Sequence, residues 1–187
     1  MTIRRVPEDF VVDELPHAAW RSSLAPGRTD ATPHAVFELR KTSLTTPEAT
    51  QRLAKALRLR GGEVVHAGLK DKHAVTTQFV SANVKNVPSN GGPSLSGPGW
   101  SAALVGWAAE EVDASIIDRN AFTIVVRDLS REANQRLNQS LRRVVDPAQP
   151  GRAVFLNYFG DQRFGSARHG GGLAGPLLCR GDYEGAL

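Results

Sequence analysis

The sequence predicts an α+β fold, a mixed or antiparallel sheet with flanking helices. Three observations predict it. Short runs rich in Val, Ile, Phe and Thr recur along the chain, several of them adjacent. Two stretches carry apolar residues at helical spacing. The regular alternation and glycine-rich first turn of a doubly wound parallel sheet are missing.

Taken in order, residues 7–15 read as a strand after a proline-set turn. Phe10 and Val12 face one side, Val11 and Asp13 the other, and Pro16 stops it. Residues 21–33, polar with Pro26-Gly27 and Thr32-Pro33, read as a loop. Residues 35–41 alternate and form a second strand. Thr45 with Glu48 fits a capping box, with Pro47 in the first turn. Ala49, Leu53, Ala56 and Leu57 then share one helical face, Arg52, Lys55, Arg58 and Arg60 make the opposite face basic, and Gly61-Gly62 ends the helix. Residues 63–67 and 74–84 are strands on either side of a polar turn. Residues 85–100, dense in Gly, Pro, Ser and Asn, read as a flexible loop. Strands follow over 102–112 and 119–128. Ser130 then caps a helix with Ala133, Leu137, Leu141 and Val145 along one stripe. The stretch 155–165 sets aromatic residues among amide and guanidinium side chains.

Composition narrows the function. No apolar run reaches the ~18 residues of a membrane span. The first residues lack a signal peptide's apolar segment, so the chain is expected to be cytoplasmic and away from membranes. A single cysteine, Cys179, makes neither an internal disulfide nor a cysteine-based zinc site. The five histidines show no His-x-x-x-His spacing, which disfavours a metal enzyme. A net charge of +4 permits a polyanionic partner such as nucleic acid, and equally a solvated basic surface.

The chemistry centres on Asp71, in Gly68-Leu69-Lys70-Asp71-Lys72-His73. A carboxylate there serves as nucleophile or general base. A nearby cation favours its charged form, and Lys70 or Lys72 would pair with it through the turn. The plain alternative is a solvated turn. Asn120 and Phe122 lie on one face of an extended segment, an amide beside a ring that suits a nucleic-acid base. A core phenylalanine with a turn asparagine is the alternative. Gln162, Arg163 and Phe164 follow an aromatic pair, and Arg163 suits a phosphate or carboxylate as well as a structural cluster. His34 and Lys41 flank a strand, where surface or satisfied positions are the ordinary outcome. The Arg-Gly-Asp at 180–182 reads as chance.

Together these stretches resemble the TruD family of tRNA pseudouridine synthases. Residues 7–14, 34–45, 67–78, 120–127 and 157–165 match in family order and reach over nearly the whole chain. The resemblance implies a pseudouridine-synthase-like catalytic domain that isomerises a uridine of tRNA without cofactor or metal. It implies Asp71 as the catalytic aspartate, attacking the nucleotide or taking a ribose proton, with Phe122 and Asn120 holding the base. It also carries Lys72, Gln78, Lys41, His34, Gln162, Arg163 and Phe164 as substrate-binding candidates. The basic faces of both helices would meet the RNA backbone.

The family's chain is longer. After the Gln-Arg-Phe-Gly region it carries an inserted domain and then completes the catalytic sheet. Residues 1–187 are therefore expected to be a partial catalytic domain, incomplete at the C-terminus and without the insertion, and a separate chain supplying the remainder is one expected partner. Residues 166–172 depart from the family's glycine–asparagine pattern. Two other readings stand beside this one. They are a non-catalytic RNA-binding relative, and a hydrolase using Asp71 with His66 or His73.

Overall fold

Seven strands form the central sheet of the computed structural model, which describes residues 2–85 and 94–145. Counting the separate antiparallel pair β1–β9, the described strands in chain order are β1 (Thr2–Ile3), β2 (Phe10–Pro16), β3 (His34–Thr42), β4 (Val64–His66), β5 (Val75–Asn83), β6 (Ser94–Gly97), β7 (Trp100–Ala108), β8 (Ile117–Ile124) and β9 (Val126–Arg127). The helices are α1 (Ala18–Ser23), α2 (Thr46–Ala56) and α3 (Arg131–Val144). The sheet runs β6-β7-β3-β5-β2-β8, with β4 also on β5. β2 pairs parallel with β5 and the other pairings are antiparallel, so the sheet is mixed, as expected. β2 and β4 share one edge of β5: β2 takes Val75 to Thr77 and β4 takes Val80 to Ala82. The chain divides into two compact units, Met1–Ser130 and Arg131–Leu187. Of the second unit only α3 and the residue after it are described; α3 has Glu132 in its first turn, Arg142 and Arg143 in its last, and no buried residue.

The core follows from alternation. Ala35, Phe37 and Leu39 of β3 point to one face with Val80 and Ala82 of β5 and Ala102 of β7. α2 lays Ala49, Leu53, Ala54 and Leu57 across them. Its start is the expected capping box: the Glu48 N–H donates to Thr45 Oγ1 at 3.3 Å, and the Thr45 N–H donates back to Glu48 Oε2 at 2.7 Å. On the other face Val36, Phe79, Val112 and Ile116 form a smaller cluster, with Trp20 and Leu24 packed on it. Among the described residues no helix is long and apolar enough to cross a membrane.

Several elements differ from the sequence reading, each for a reason of tertiary structure. Residues 7–9 form a 3-10 turn before β2, because the Asp9 carboxylate accepts the N–H groups of Arg5 and Val6 at 3.1 and 3.3 Å. The stretch read as loop from residue 21 begins inside α1, too short to show a period; Trp20 holds it by meeting Phe79 edge-on at 5.6 Å. α2 stops at Ala56 rather than at Gly61-Gly62, since Arg58 takes the left-handed conformation that ends it. Residues 94–97, inside the expected flexible loop, are an edge strand paired with β7; residues 86–93 lie outside the described residues. The strand expected over 119–128 starts at Ile117 and breaks at Val125, whose N–H donates to the Asp9 carbonyl at 2.8 Å.

Asp9 is the clamp of this corner. Buried at 1 % exposure, it accepts both Nε and Nη2 of Arg127, at 2.7 to 2.9 Å, and so ties the entry of β2 to β9. The Arg127 guanidinium holds its carboxyl below the ordinary value of 3.8. A depressed native pKa means that the unfolded chain binds more protons in acid, so this stabilisation is present above about pH 4 and lost as the pH falls below it. Asp9→Asn is expected to lower the urea midpoint at pH 7. Its deficit against wild type should shrink below pH 4, and a constant deficit from pH 7 to 3 would contradict the clamp.

Candidate active site

The loop between β4 and β5, residues 67–74, is held from beneath by side chains projecting from the α2 face of the sheet. Across that face, register puts Trp100, Lys41, Thr76, Val12 and Phe122 in one row of five strands. The next row begins Ala102, Leu39, Gln78 and ends with Glu14 opposite Asn120. Directly opposed residues share a face. The α2 half of this face is apolar. Toward β2 and β8 it turns polar, and there the loop lies.

Each buried polar group in these rows has a task. Lys41 is fully buried, and its ammonium donates to the carbonyls of Leu44 (2.8 Å), Lys70 (3.3 Å) and Asp71 (2.7 Å). Burial pushes its pKa down to about 8 against the upward pull of the Asp71 charge, and Lys70 adds a further downward push. Gln78, equally buried, donates to the Gly68 carbonyl at 3.2 Å and accepts from the Thr46 hydroxyl at 3.0 Å. Thr46 in turn accepts the Lys70 N–H at 3.0 Å, linking the first turn of α2 to the loop. Glu14 closes the set: it accepts the Phe79 N–H at 3.0 Å and the Lys70 ammonium at 2.5 Å. Backbone groups at Gly68, Lys70 and Asp71 are thus pinned by side chains from β3, β5 and α2.

The side chain of Asp71 is left outside. It is half-exposed, and its carboxylate faces the Arg4 guanidinium at 3.5 Å. That is a correction to the flanking lysines as partners. Lys70 is drawn under the loop by Glu14, and Lys72 is exposed, with its charge acting on Glu48. Arg4 also lies 3.8 Å over the ring of Phe10, and Phe10 meets Phe122 at 6.0 Å between centroids. A chain of contacts therefore runs Asp71, Arg4, Phe10, Phe122. Phe122 is 59 % exposed, an open ring face on β8, and Asn120 is exposed two residues away on the same side.

The structure links Asp71 to the exposed Phe122 through Arg4 and Phe10, with Asn120 exposed two residues from Phe122 on β8 and Lys72 exposed next to Asp71. Lys41 and Gln78, candidates for substrate binding from sequence, lie instead beneath the loop with their polar atoms engaged, so they position it. His34 is at the opposite end of β3 from Lys41, about 23 Å along the strand, and pairs with Asn83 and Ala108. It does not join the site. Gln162, Arg163 and Phe164 lie outside the described residues. Among the described residues the ion-pair partner of the Asp71 carboxylate is Arg4, not His66 or His73, so nothing in the geometry favours a hydrolytic pair. Among the described residues no cluster of His, Cys, Asp and Glu is set to hold a metal. The concavity of about 670 Å³ between α2 and β4, lined in part by Glu48, Gln51 and His66, does not reach Asp71. The site is an open face.

Sequence reasoning missed Arg4, Glu14 and Thr46. Glu14 had a signal: it continues the inward series Phe10, Val12, where a charge requires a buried partner. Arg4 had none, being 67 residues from Asp71 in a left-handed conformation at φ 60°.

The comparisons bear on the family and the fold. The family model described as tRNA pseudouridine synthase D (TruD) matches residues 1–187. A tRNA pseudouridine synthase D of Legionella pneumophila is 32% identical over 182 residues, covering 96% of this chain and 48% of its own. One from Anaeromyxobacter dehalogenans is 33% identical over 178 residues, covering 94% and 45%. A crystal structure assigned to tRNA pseudouridine synthase D from Methanosarcina mazei superposes with a TM-score of 0.68 at 24% identity, over 98% of this chain and 39% of that one, which shows the shared fold. The chain spans less than half the length of these relatives. With the family model matched end to end, the chain belongs to the TruD family of tRNA pseudouridine synthases.

Proposed function

We propose that this chain is the N-terminal part of a catalytic domain that converts a uridine of tRNA to pseudouridine, with Asp71 as the reacting carboxylate. One observation carries the reading. The loop backbone is fixed from below by Lys41, Gln78 and Thr46, while the Asp71 carboxylate is half-exposed and paired with Arg4, one contact chain away from the open ring of Phe122. That is preorganisation of one acid group against an aromatic platform.

The chemistry follows from what these groups do. A uridine stacked in folded RNA must leave the stack before a protein group reaches its glycosidic bond. The Phe122 ring replaces the lost stacking and the Asn120 amide bonds the base edge. Asp71 either attacks C1′ of the ribose or takes the proton from C2′. In both routes the C1′–N1 bond breaks with its electron pair on the base. The base turns so that C5 faces C1′, and the C1′–C5 bond forms as the Asp71–C1′ ester breaks in the first route, or as Asp71 returns the proton to C2′ in the second; the C5 proton is then lost and N1 gains one. The product is an isomer, so no oxidant or co-reactant is consumed. Arg4 keeps the carboxylate aimed and balances its charge.

The test is pseudouridine in an unmodified tRNA transcript incubated with the chain, alone and with the remainder of a relative's catalytic domain supplied as a second chain. Product in either arm is expected. Its absence from both, with the chain folded and bound to tRNA, would leave an RNA-binding relative and refute the catalytic reading.

A further inference from the structure

We propose that Arg52, Lys55 and Arg58 form a phosphate-binding ridge on α2, a second RNA contact apart from the Asp71 face. It rests on the reading of the chain as an RNA-modifying enzyme, and it goes beyond a general basic surface in naming one side chain whose backbone is strained to place it.

Arg52, Lys55 and Arg58 are exposed, and none makes a close ion pair among the described residues, although the Arg52 charge acts on Glu48 one turn before it. The carboxylates at either end are engaged locally. Glu48 binds the N–H and hydroxyl of Thr45, and Glu63 binds the Arg60 N–H. Two grooves flank the ridge. One, of about 630 Å³, is lined by Arg52, Lys55 and Arg58 with Leu59 and Gly61. The other, of about 610 Å³, is lined by Arg52 and Lys55 with Gly97, Pro98 and Trp100. Arg52 is fixed between them, since its Nη1 donates to the Pro98 carbonyl at 2.6 Å and leaves the rest of the guanidinium free. Three cations on a ridge with a groove on each side fit a chain of phosphodiesters, and charge complementarity makes the occupant RNA.

Arg58 is the telling residue. The Leu59 N–H bonds the Ala54 carbonyl at 2.8 Å and the Arg58 N–H bonds the Lys55 carbonyl at 3.1 Å. This is the helix-ending motif whose left-handed position favours glycine. Arg58 occupies it at φ 61°. Glycine would adopt that backbone without strain. The competing account is that a cation here simply complements the helix C-terminus. The two accounts predict opposite effects of Arg58→Gly on stability. The ridge runs from Arg52, about 9 Å along α2 from Thr46, to Arg58 in the turn that ends the helix, and Thr46 touches the Asp71 loop.

The experiment titrates the chain with an unmodified tRNA transcript across salt from about 50 to 200 mM. Wild type is compared with Arg58→Gly and with the double variant Lys55→Glu, Arg58→Glu, and urea midpoints are read in parallel. Arg58→Gly should hold or raise the midpoint and weaken tRNA binding severalfold. The slope of log Kd against log salt should fall by about 0.7 to 0.9 for each lost contact, so by roughly twice that in the double variant. Unchanged slopes in both variants would overturn the ridge, whatever the midpoints. A wild type that does not bind tRNA would overturn the ridge and the RNA reading together. Lowered slopes with no pseudouridine from wild type, either alone or with the supplied remainder of the catalytic domain, would overturn the catalytic reading alone.

Discussion

Lys41→Met should uncouple the catalytic loop from the sheet. Methionine fills much of the same volume but donates nothing, so the carbonyls of Leu44, Lys70 and Asp71 lose their shared partner. Each orphaned buried carbonyl costs about 1–3 kcal/mol, partly offset by no longer burying a charge. A net loss near 2 kcal/mol is expected in urea unfolding. The effect on turnover should be larger. A displacement of the Asp71 carboxylate by about 1 Å costs on the order of 100-fold. The pH dependence separates positioning from general stability. An ammonium has three donors for three carbonyls and a neutral amine has two, so the loop loses a bond as the pH rises through about 8. Turnover should therefore fall above about pH 8 in wild type, and this limb should vanish in Lys41→Met. The sign for stability is the reverse. With a native pKa of about 8 against 10.5, the unfolded chain holds more protons between those values, and wild type gains stability relative to Lys41→Met across that window. Identical alkaline limbs in both proteins would refute the role of Lys41.

Asp71→Asn should abolish product while leaving the fold intact. Its pair with Arg4 is half-exposed on both sides, and such pairs are worth about 0–1 kcal/mol. The amide keeps the size and the Arg4 contact but neither attacks carbon nor accepts the proton. A loss of ~10⁴-fold or more is the scale for removing a reacting side chain. tRNA affinity should stay within about threefold if the proposed basic ridge, and not Asp71, meets the RNA backbone. Retained turnover in Asp71→Asn would transfer the chemistry to another group.

Much of this architecture could be read from local pattern. The inward series of β2, the alternation of β3 and the capping box of α2 each express a rule that spans four residues or fewer. What escaped was set by partners far along the chain. α1 exists because Trp20 finds Phe79, and β6 because a serine-rich segment finds β7. At the site, Asp71 stood out by its setting between two lysines, yet the groups that position it come from residues 4, 14, 41, 46 and 78. Lys41 and Gln78 were visible as polar residues in strands. That they face inward toward a loop follows only from sheet register, which places Lys41 opposite Thr76 and Leu39 opposite Gln78.

The order of strands across the sheet also sets the order in which the site can come into being. β3, α2, β4 and β5 lie within one stretch of chain, and they carry the loop and most of its supports. β2 joins β8 only by closing more than 100 residues, from Phe10 to Ile124, and Asp9 meets Arg127 across 118. Closures of that span are slow, and their chain-entropy cost falls before any contact offsets it. The Asp71 loop is therefore in place before the Phe122 ring. Assembly of the proposed site is a late event of folding, and a local opening at the Asp9–Arg127 corner would undo it while leaving the β3–α2–β5 core standing.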